Sequence, residues 1–119
     1  MLISIDIDAP YPSFAIISPI LHWIRPGLKA STAEDGSFVL KATASVIASY
    51  LGPAPPPVSA PHRYIFVLYE QPEGFDVSKY APAEGKEFGM WGRIRFDLDG
   101  FEKENGLGPL VASNYLLSN

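Results

Sequence analysis

The sequence predicts a turn-rich, mainly β protein, and three features carry that prediction. Twelve prolines and ten glycines among 119 residues leave little room for long helices. The opening Leu2-Ile3-Ser4-Ile5-Asp6-Ile7-Asp8 alternates apolar and polar residues with the period of a strand. Farther along, His62 to Tyr69 is an unbroken strand-like run with apolar residues on both faces, the pattern of a central strand covered on both sides. An apolar fraction of 47% with 13% aromatics argues for a packed core rather than disorder. The length fits one domain over residues 1–119.

Taken in order, the first strand places Ile3, Ile5 and Ile7 on one face and Ser4, Asp6 and Asp8 on the other, and Ala9-Pro10-Tyr11-Pro12 ends it. Ile20 to Ile24 reads as a short buried strand containing a single polar residue, His22, and Pro26-Gly27 closes it. Lys29 to Ser37 is small, polar and acidic, and is expected to be a solvent loop. Phe38 to Tyr50 fits either a strand, through Val39, Thr43, Val46 and Ile47, or an alanine-rich helix. Gly52-Pro53-Ala54-Pro55-Pro56-Pro57 is expected to be a stiff extended loop. Gly74 to Gly92 reads as irregular. A short helix is expected from Leu98 to Asn105, with Asp97 as its N-cap and Gly106 as its stop, and an extended segment follows from Val111 to Leu117.

Several function classes are excluded or disfavoured. With no cysteine there is no disulfide, thiolate metal site or cysteine nucleophile, which suits a reducing compartment, and the expected location is cytoplasmic. Met1 to Pro10 carries two carboxylates and no basic residue, unlike a secretory signal, and no apolar run approaches the roughly 20 residues that span a bilayer. A net charge of −4 disfavours nucleic acid and acidic membrane surfaces as partners, while permitting a locally positive pocket. No Walker loop, nucleophile elbow or dinucleotide fingerprint occurs, and no histidine spacing supports a metal, so no cofactor is implied. Arg93 and Arg95 are expected on a solvated strand face.

The chemistry-bearing residues are few. Taken singly, each of the two histidines reads as a core residue among apolar neighbours. Taken together, His62 and Tyr64 share one strand face, Asp6 and Asp8 share another, and both pairs adjoin proline-rich strand ends. A carboxylate beside an imidazole fixes its tautomer, and imidazolium with a tyrosine hydroxyl can donate hydrogen bonds to a phosphate or carboxylate. The alternative is that Asp6 and Asp8 only cap the turn at Pro10.

At this point the residues resemble a known family. Asp6-Ile7-Asp8-Ala9-Pro10 is similar to the D-P-D-A-P signature of the phosphatidylethanolamine-binding proteins, also called Raf-kinase-inhibitor-like proteins. His22-Trp23 resembles the family's histidine–aromatic step, and Tyr50-Leu51-Gly52-Pro53 with Pro55, Pro56 and His62-Arg63-Tyr64 resembles its Y-x-G-P-x-P-P…H-R-Y block. The tail from Arg95-Phe96-Asp97 through Gly106-Leu107-Gly108-Pro109 to Ala112-Ser113-Asn114-Tyr115 resembles the ending of fungal members.

The resemblance implies an antiparallel β-sandwich with a few peripheral helices. It also implies an anion pocket built from Asp6, Pro10, His22, His62 and Tyr64, with Asp8 and one of Pro55 or Pro56 on the rim. Ile7 stands where the family usually has proline, and the stretch from His22 to His62 is longer than usual, so an inserted loop is expected near the mouth. Family members carry strands before the signature strand, on which this chain nearly begins. The expectation is therefore a sandwich lacking its N-terminal strands, with an exposed edge that invites homo-oligomers. Two functions follow from the resemblance. One is a regulatory protein that binds a small anion, a phosphate headgroup or carboxylic acid, and acts on a protein partner. The other is an enzyme or accessory factor of fungal specialised metabolism, with Asp6 and His62 as general acid and base.

Overall fold

The computed structural model describes residues 1–80 and 88–119. Its strands are β1 (Leu2–Asp6), β2 (Ile20–Arg25), β3 (Leu28–Thr32), β4 (Phe38–Ala42), β5 (His62–Tyr69) and β6 (Leu110–Ser118). β1, β2, β5 and β6 form an antiparallel sheet in the order β2-β1-β5-β6, while β3 and β4 pair separately. The helices are few and short: a 3-10 turn at Val77–Tyr80, α1 (Met90–Arg93) and α2 (Leu98–Asn105). The expected mainly β, antiparallel architecture is what the chain adopts.

The alternation in β1 sorts the two faces of the main sheet. Ile3 and Ile5 join Met1, Leu21, Ile24, Ile47, Ala48, Tyr69 and Phe101 in the buried core. Burying each large aliphatic side chain contributes about 1.5–3 kcal/mol. The register between β1 and β2 shifts: Ser4 faces Trp23 and Ile5 faces Leu21, so His22 is the extra residue of a bulge. Bulges re-aim side chains, and here the bulge swings His22 toward Tyr64, ring to ring at 5.1 Å.

Helix α2 covers the core face. Asp97 caps it by accepting from the Gly100 N–H at 3.0 Å, and a Cβ at Gly100 would collide with that carboxylate, which explains a glycine inside the helix. Gly106 ends it in the left-handed conformation, with the Leu107 N–H donating to the Glu102 carbonyl at 3.0 Å. Phe101 faces inward, the Tyr69 hydroxyl donates to Glu102, and the Tyr80 hydroxyl donates to Asn105 at 2.7 Å.

Four expectations require correction. Lys29 to Ser37 is not simply a loop, because β3 occupies Leu28–Thr32 and pairs with β4; only its end turns, through Asp35, which accepts from the Ser37 N–H and hydroxyl at 2.9 and 2.6 Å. Backbone pairing decides there, not side-chain propensity. The stretch after Ala42 is neither strand nor helix; it runs beside β2, the Ile24 N–H donating to the Ala48 carbonyl at 3.1 Å. β5 is central in the sheet, yet Ile65 to Leu68 are only half-buried, since its neighbour β6 is exposed from Leu110 to Leu117. Finally, Arg93 is buried in α1, where its guanidinium donates to the Leu21, Ser49 and Phe88 carbonyls at 3.2, 3.1 and 3.2 Å. The α1 turn separates it from Arg95, which is exposed. The irregular stretch expected from Gly74 to Gly92 lies partly outside the described residues. Among the described residues no helix is long and apolar enough to cross a membrane.

Candidate functional site

At one end of the main sheet, a cavity of about 400 Å³ opens between strand ends and proline-bearing loops. β1 supplies Asp6, β5 supplies His62 and Tyr64, and the β2 bulge supplies His22. Asp6 and Tyr64 are cross-strand partners, and Ile20 faces Asp6 from the other side. The loop after β1 adds Ala9 and Pro10, its peptide bond cis, and the loop before β5 adds Leu51, Gly52, Ala54 and Pro56. Ile17, Ile20 and Met90 give the cavity an apolar wall opposite these polar groups.

The polar groups are connected. Asp6 Oδ2 accepts from His62 Nδ1 at 2.8 Å, and Asp6 Oδ1 accepts from the Asp8 backbone N–H at 2.8 Å. His62 is buried, and its Nε2 lies 3.0 Å from the Ser59 hydroxyl. His22 Nδ1 donates to the Leu51 carbonyl at 2.8 Å, since a carbonyl can only accept. That leaves Nε2 as the nitrogen available to a ligand. Tyr64 lies between the two imidazoles, edge-on to His22 and stacked on His62 at 6.2 Å. Burial first, and then the nearby Asp6 carboxylate, push its hydroxyl up to about 12, against an opposing pull from the Ala54 backbone N–H. The phenol therefore keeps its proton at neutral pH and serves as a donor.

Of the residues singled out in the sequence, Asp6, Pro10, His22, Pro56, His62 and Tyr64 come together on this cavity, whereas Asp8 and Pro55 are not among its walls. Asp8 turns instead to Arg63, accepting from its backbone N–H, Nε and Nη2 at 2.7, 2.9 and 2.8 Å. Within the longer stretch between the histidines, residues 28–42 form a hairpin that contributes nothing to the walls, while Leu51, Gly52, Ala54 and Pro56 reach the cavity. The sequence reading missed Ile17, Leu51, Met90 and Ser59. Leu51 sat inside a recognised block. The other three carry no local signal, because only the fold brings them near the histidines.

Comparison with known proteins bears on the family and the fold. A family model described as phosphatidylethanolamine-binding protein matches residues 1–115. The chain belongs to the phosphatidylethanolamine-binding protein family. It is similar to "Phomoidride biosynthesis cluster protein N" of Talaromyces stipitatus, 36% identical over 122 residues, which span 99% of this chain and 58% of that protein. It is also similar to the "Carboxypeptidase Y inhibitor" of Saccharomyces cerevisiae, 34% identical over 96% of this chain and 56% of that protein. A solved carboxypeptidase Y inhibitor, crystallised in complex with its cognate proteinase, superimposes with a TM-score of 0.73 at 33% identity, covering 98% of this chain and 57% of that one. The chain thus spans a little over half the length of these relatives.

Proposed function

We propose that this cavity binds a small anion, a phosphate ester or a carboxylate, and that the protein acts by regulating a protein partner. The observation that carries the reading is the convergence of Tyr64, His22 and His62 on one cavity, with Asp6 beneath them. Both Asp6 oxygens are already engaged by donors within the protein, so the carboxylate organises the site while Tyr64 and His22 Nε2 face a ligand. As an imidazolium His22 donates through both nitrogens, so a small anion would accept from its Nε2 and from Tyr64 in a partly apolar setting, where charge-assisted hydrogen bonds are strong. The partner half of the reading draws support from the similarity to a carboxypeptidase Y inhibitor solved with its proteinase. A second reading, acid/base chemistry by Asp6 and His62 in fungal specialised metabolism, is favoured by the similarity to a phomoidride biosynthesis cluster protein.

The sequence contains only two histidines, so proton NMR can follow both rings through a pH titration with and without inorganic phosphate or phosphoethanolamine. Both ring C–H signals are expected to move when the anion is added, with assignments from His22→Ala and His62→Ala. Two histidines that ignore the anion and titrate independently would overturn the binding reading.

A further inference from the structure

The geometry points to a second activity at this end of the sheet: Ser59, His62 and Asp6 form a nucleophile–base–carboxylate triad suited to cleaving small carboxylic esters. Ser59 Oγ lies 3.0 Å from His62 Nε2, and His62 Nδ1 lies 2.8 Å from Asp6 Oδ2. These are the two hydrogen bonds that such a triad requires, in the required order. Asp6 accepts the Nδ1 proton and so fixes the tautomer whose Nε2 lone pair faces the serine. Its other oxygen is held by the Asp8 N–H, which keeps the carboxylate oriented. His62 and Asp6 are buried, and Ser59 is half-buried, so the base is shielded while the nucleophile stays within reach of solvent.

Two features of the loop fit the role. The residue before the serine, Val58, is fully exposed and takes a left-handed backbone at φ 62°, a costly conformation for a β-branched residue. The residue after it, Ala60, has a backbone N–H with no acceptor among the described residues. The N–H following a nucleophilic serine is a common oxyanion donor. At rest the Ser59 hydroxyl donates to the Ala60 carbonyl at 2.8 Å. Rotation about the Cβ–Oγ bond redirects its hydrogen to His62 without moving the oxygen.

In the reaction, Ser59 Oγ bonds to the ester carbonyl carbon as its proton passes to His62 Nε2, and the carbonyl oxygen becomes an oxyanion beside the Ala60 N–H. Collapse breaks the bond to the alkoxy group, which leaves as an alcohol carrying the proton from His62. Water then attacks the acyl-serine, again giving a proton to His62, and releases the carboxylic acid and free Ser59. One ester and one water become one acid and one alcohol. Ser59 is not itself a wall residue, but its triad partners His62 and Asp6 line the cavity, whose apolar residues Ile17 and Leu51 would take a short acyl group.

The test uses the intact protein with a fluorophosphonate probe and, separately, p-nitrophenyl butyrate. Intact mass and peptide mapping should show one adduct on Ser59, absent from Ser59→Ala. Ester hydrolysis should fall about 10²-fold or more in that variant, the scale on which triad members act. Ser59 is a loop residue, so thermal melting should leave Ser59→Ala close to the parent and separate lost chemistry from lost fold. No adduct on the parent at millimolar probe, or equal hydrolysis in Ser59→Ala, overturns the triad. The anion reading fails by a different sign: unresponsive histidine signals on adding phosphate.

Discussion

β1 and β5 are joined by two neighbouring carboxylate–base pairs with the same connectivity and opposite settings. Asp6 meets His62, and two residues on Asp8 meets Arg63. In the first pair both side chains are buried, at 5% and 1% exposure; in the second Asp8 is buried at 4% but Arg63 is 54% exposed. The Asp6 pair faces the cavity and is linked through Tyr64 to His22. The Asp8 pair is excluded from the cavity and ties the end of β1 to β5. A buried pair is costly to break, because its partner is left without solvent or replacement. An exposed arginine loses much less, since water replaces the carboxylate. One connection therefore serves as the organising centre of the site and the other as a latch.

The largest effect should come from Asp6→Ala. It strands the His62 Nδ1–H and the Asp8 N–H, both buried, and removes the neighbour that holds Tyr64. A loss of about 3 kcal/mol in unfolding free energy is expected, read by urea denaturation, together with loss of the phosphate-dependent histidine shifts. A variant that keeps both its stability and those shifts would place the centre of the site elsewhere.

Asp8→Asn should do less, lowering the melting temperature by about 3 °C at neutral pH and leaving the histidine response intact. Its pH dependence sharpens the contrast. The Arg63 side chain, hydrogen-bonded to Asp8, holds the carboxyl below its usual value. A depressed folded value means that Asp8 contributes stability above the unfolded value of about 4 and loses it as pH falls through the folded value. The difference in melting temperature between parent and Asp8→Asn should therefore close between about pH 5 and pH 2. A gap that stays constant with pH would show that Arg63 does not control this carboxyl.

The two pairs also show what a sequence can and cannot disclose. Period-two spacing pairs Asp6 with Asp8 and His62 with Tyr64, and the family blocks mark Asp6, Pro10, His22, His62 and Tyr64. Spacing alone could not separate Asp6 from Asp8, because the decision rests on Arg63 reaching across the strand pair to capture Asp8. His22 faces the cavity through a bulge, and a bulge leaves no mark in an apolar pattern such as Ile20-Leu21-His22-Trp23-Ile24. Ser59 was invisible for a similar reason: its hydroxyl meets His62 only because the Pro56 carbonyl accepts from the Ser59 N–H at 3.2 Å and turns the chain back. Arg93 was misplaced because its acceptors are backbone carbonyls from β2, the Ser49 loop and Phe88, groups that sequence patterns do not record.

The smallest expected effect belongs to Tyr64→Phe, and it reports on the polarity around the Asp6 pair. Burial and Asp6 raise the Tyr64 hydroxyl to about 12. A folded value above the unfolded one, about 10, means that the protonated phenol contributes stability that is fully present below pH 10 and lost as pH rises toward 12. At neutral pH the removal of one hydroxyl should cost only about 0.5 kcal/mol, and the parent should lose that advantage as pH rises above 10. Tyrosinate absorbance near 295 nm during alkaline titration should lose a late-titrating component in Tyr64→Phe. In an Asp6→Asn background the same component should move to lower pH, because the carboxylate that opposes the phenolate has gone. A component that stays put would mean that burial alone sets the Tyr64 proton, and that the Asp6 pair acts on the cavity only through His62.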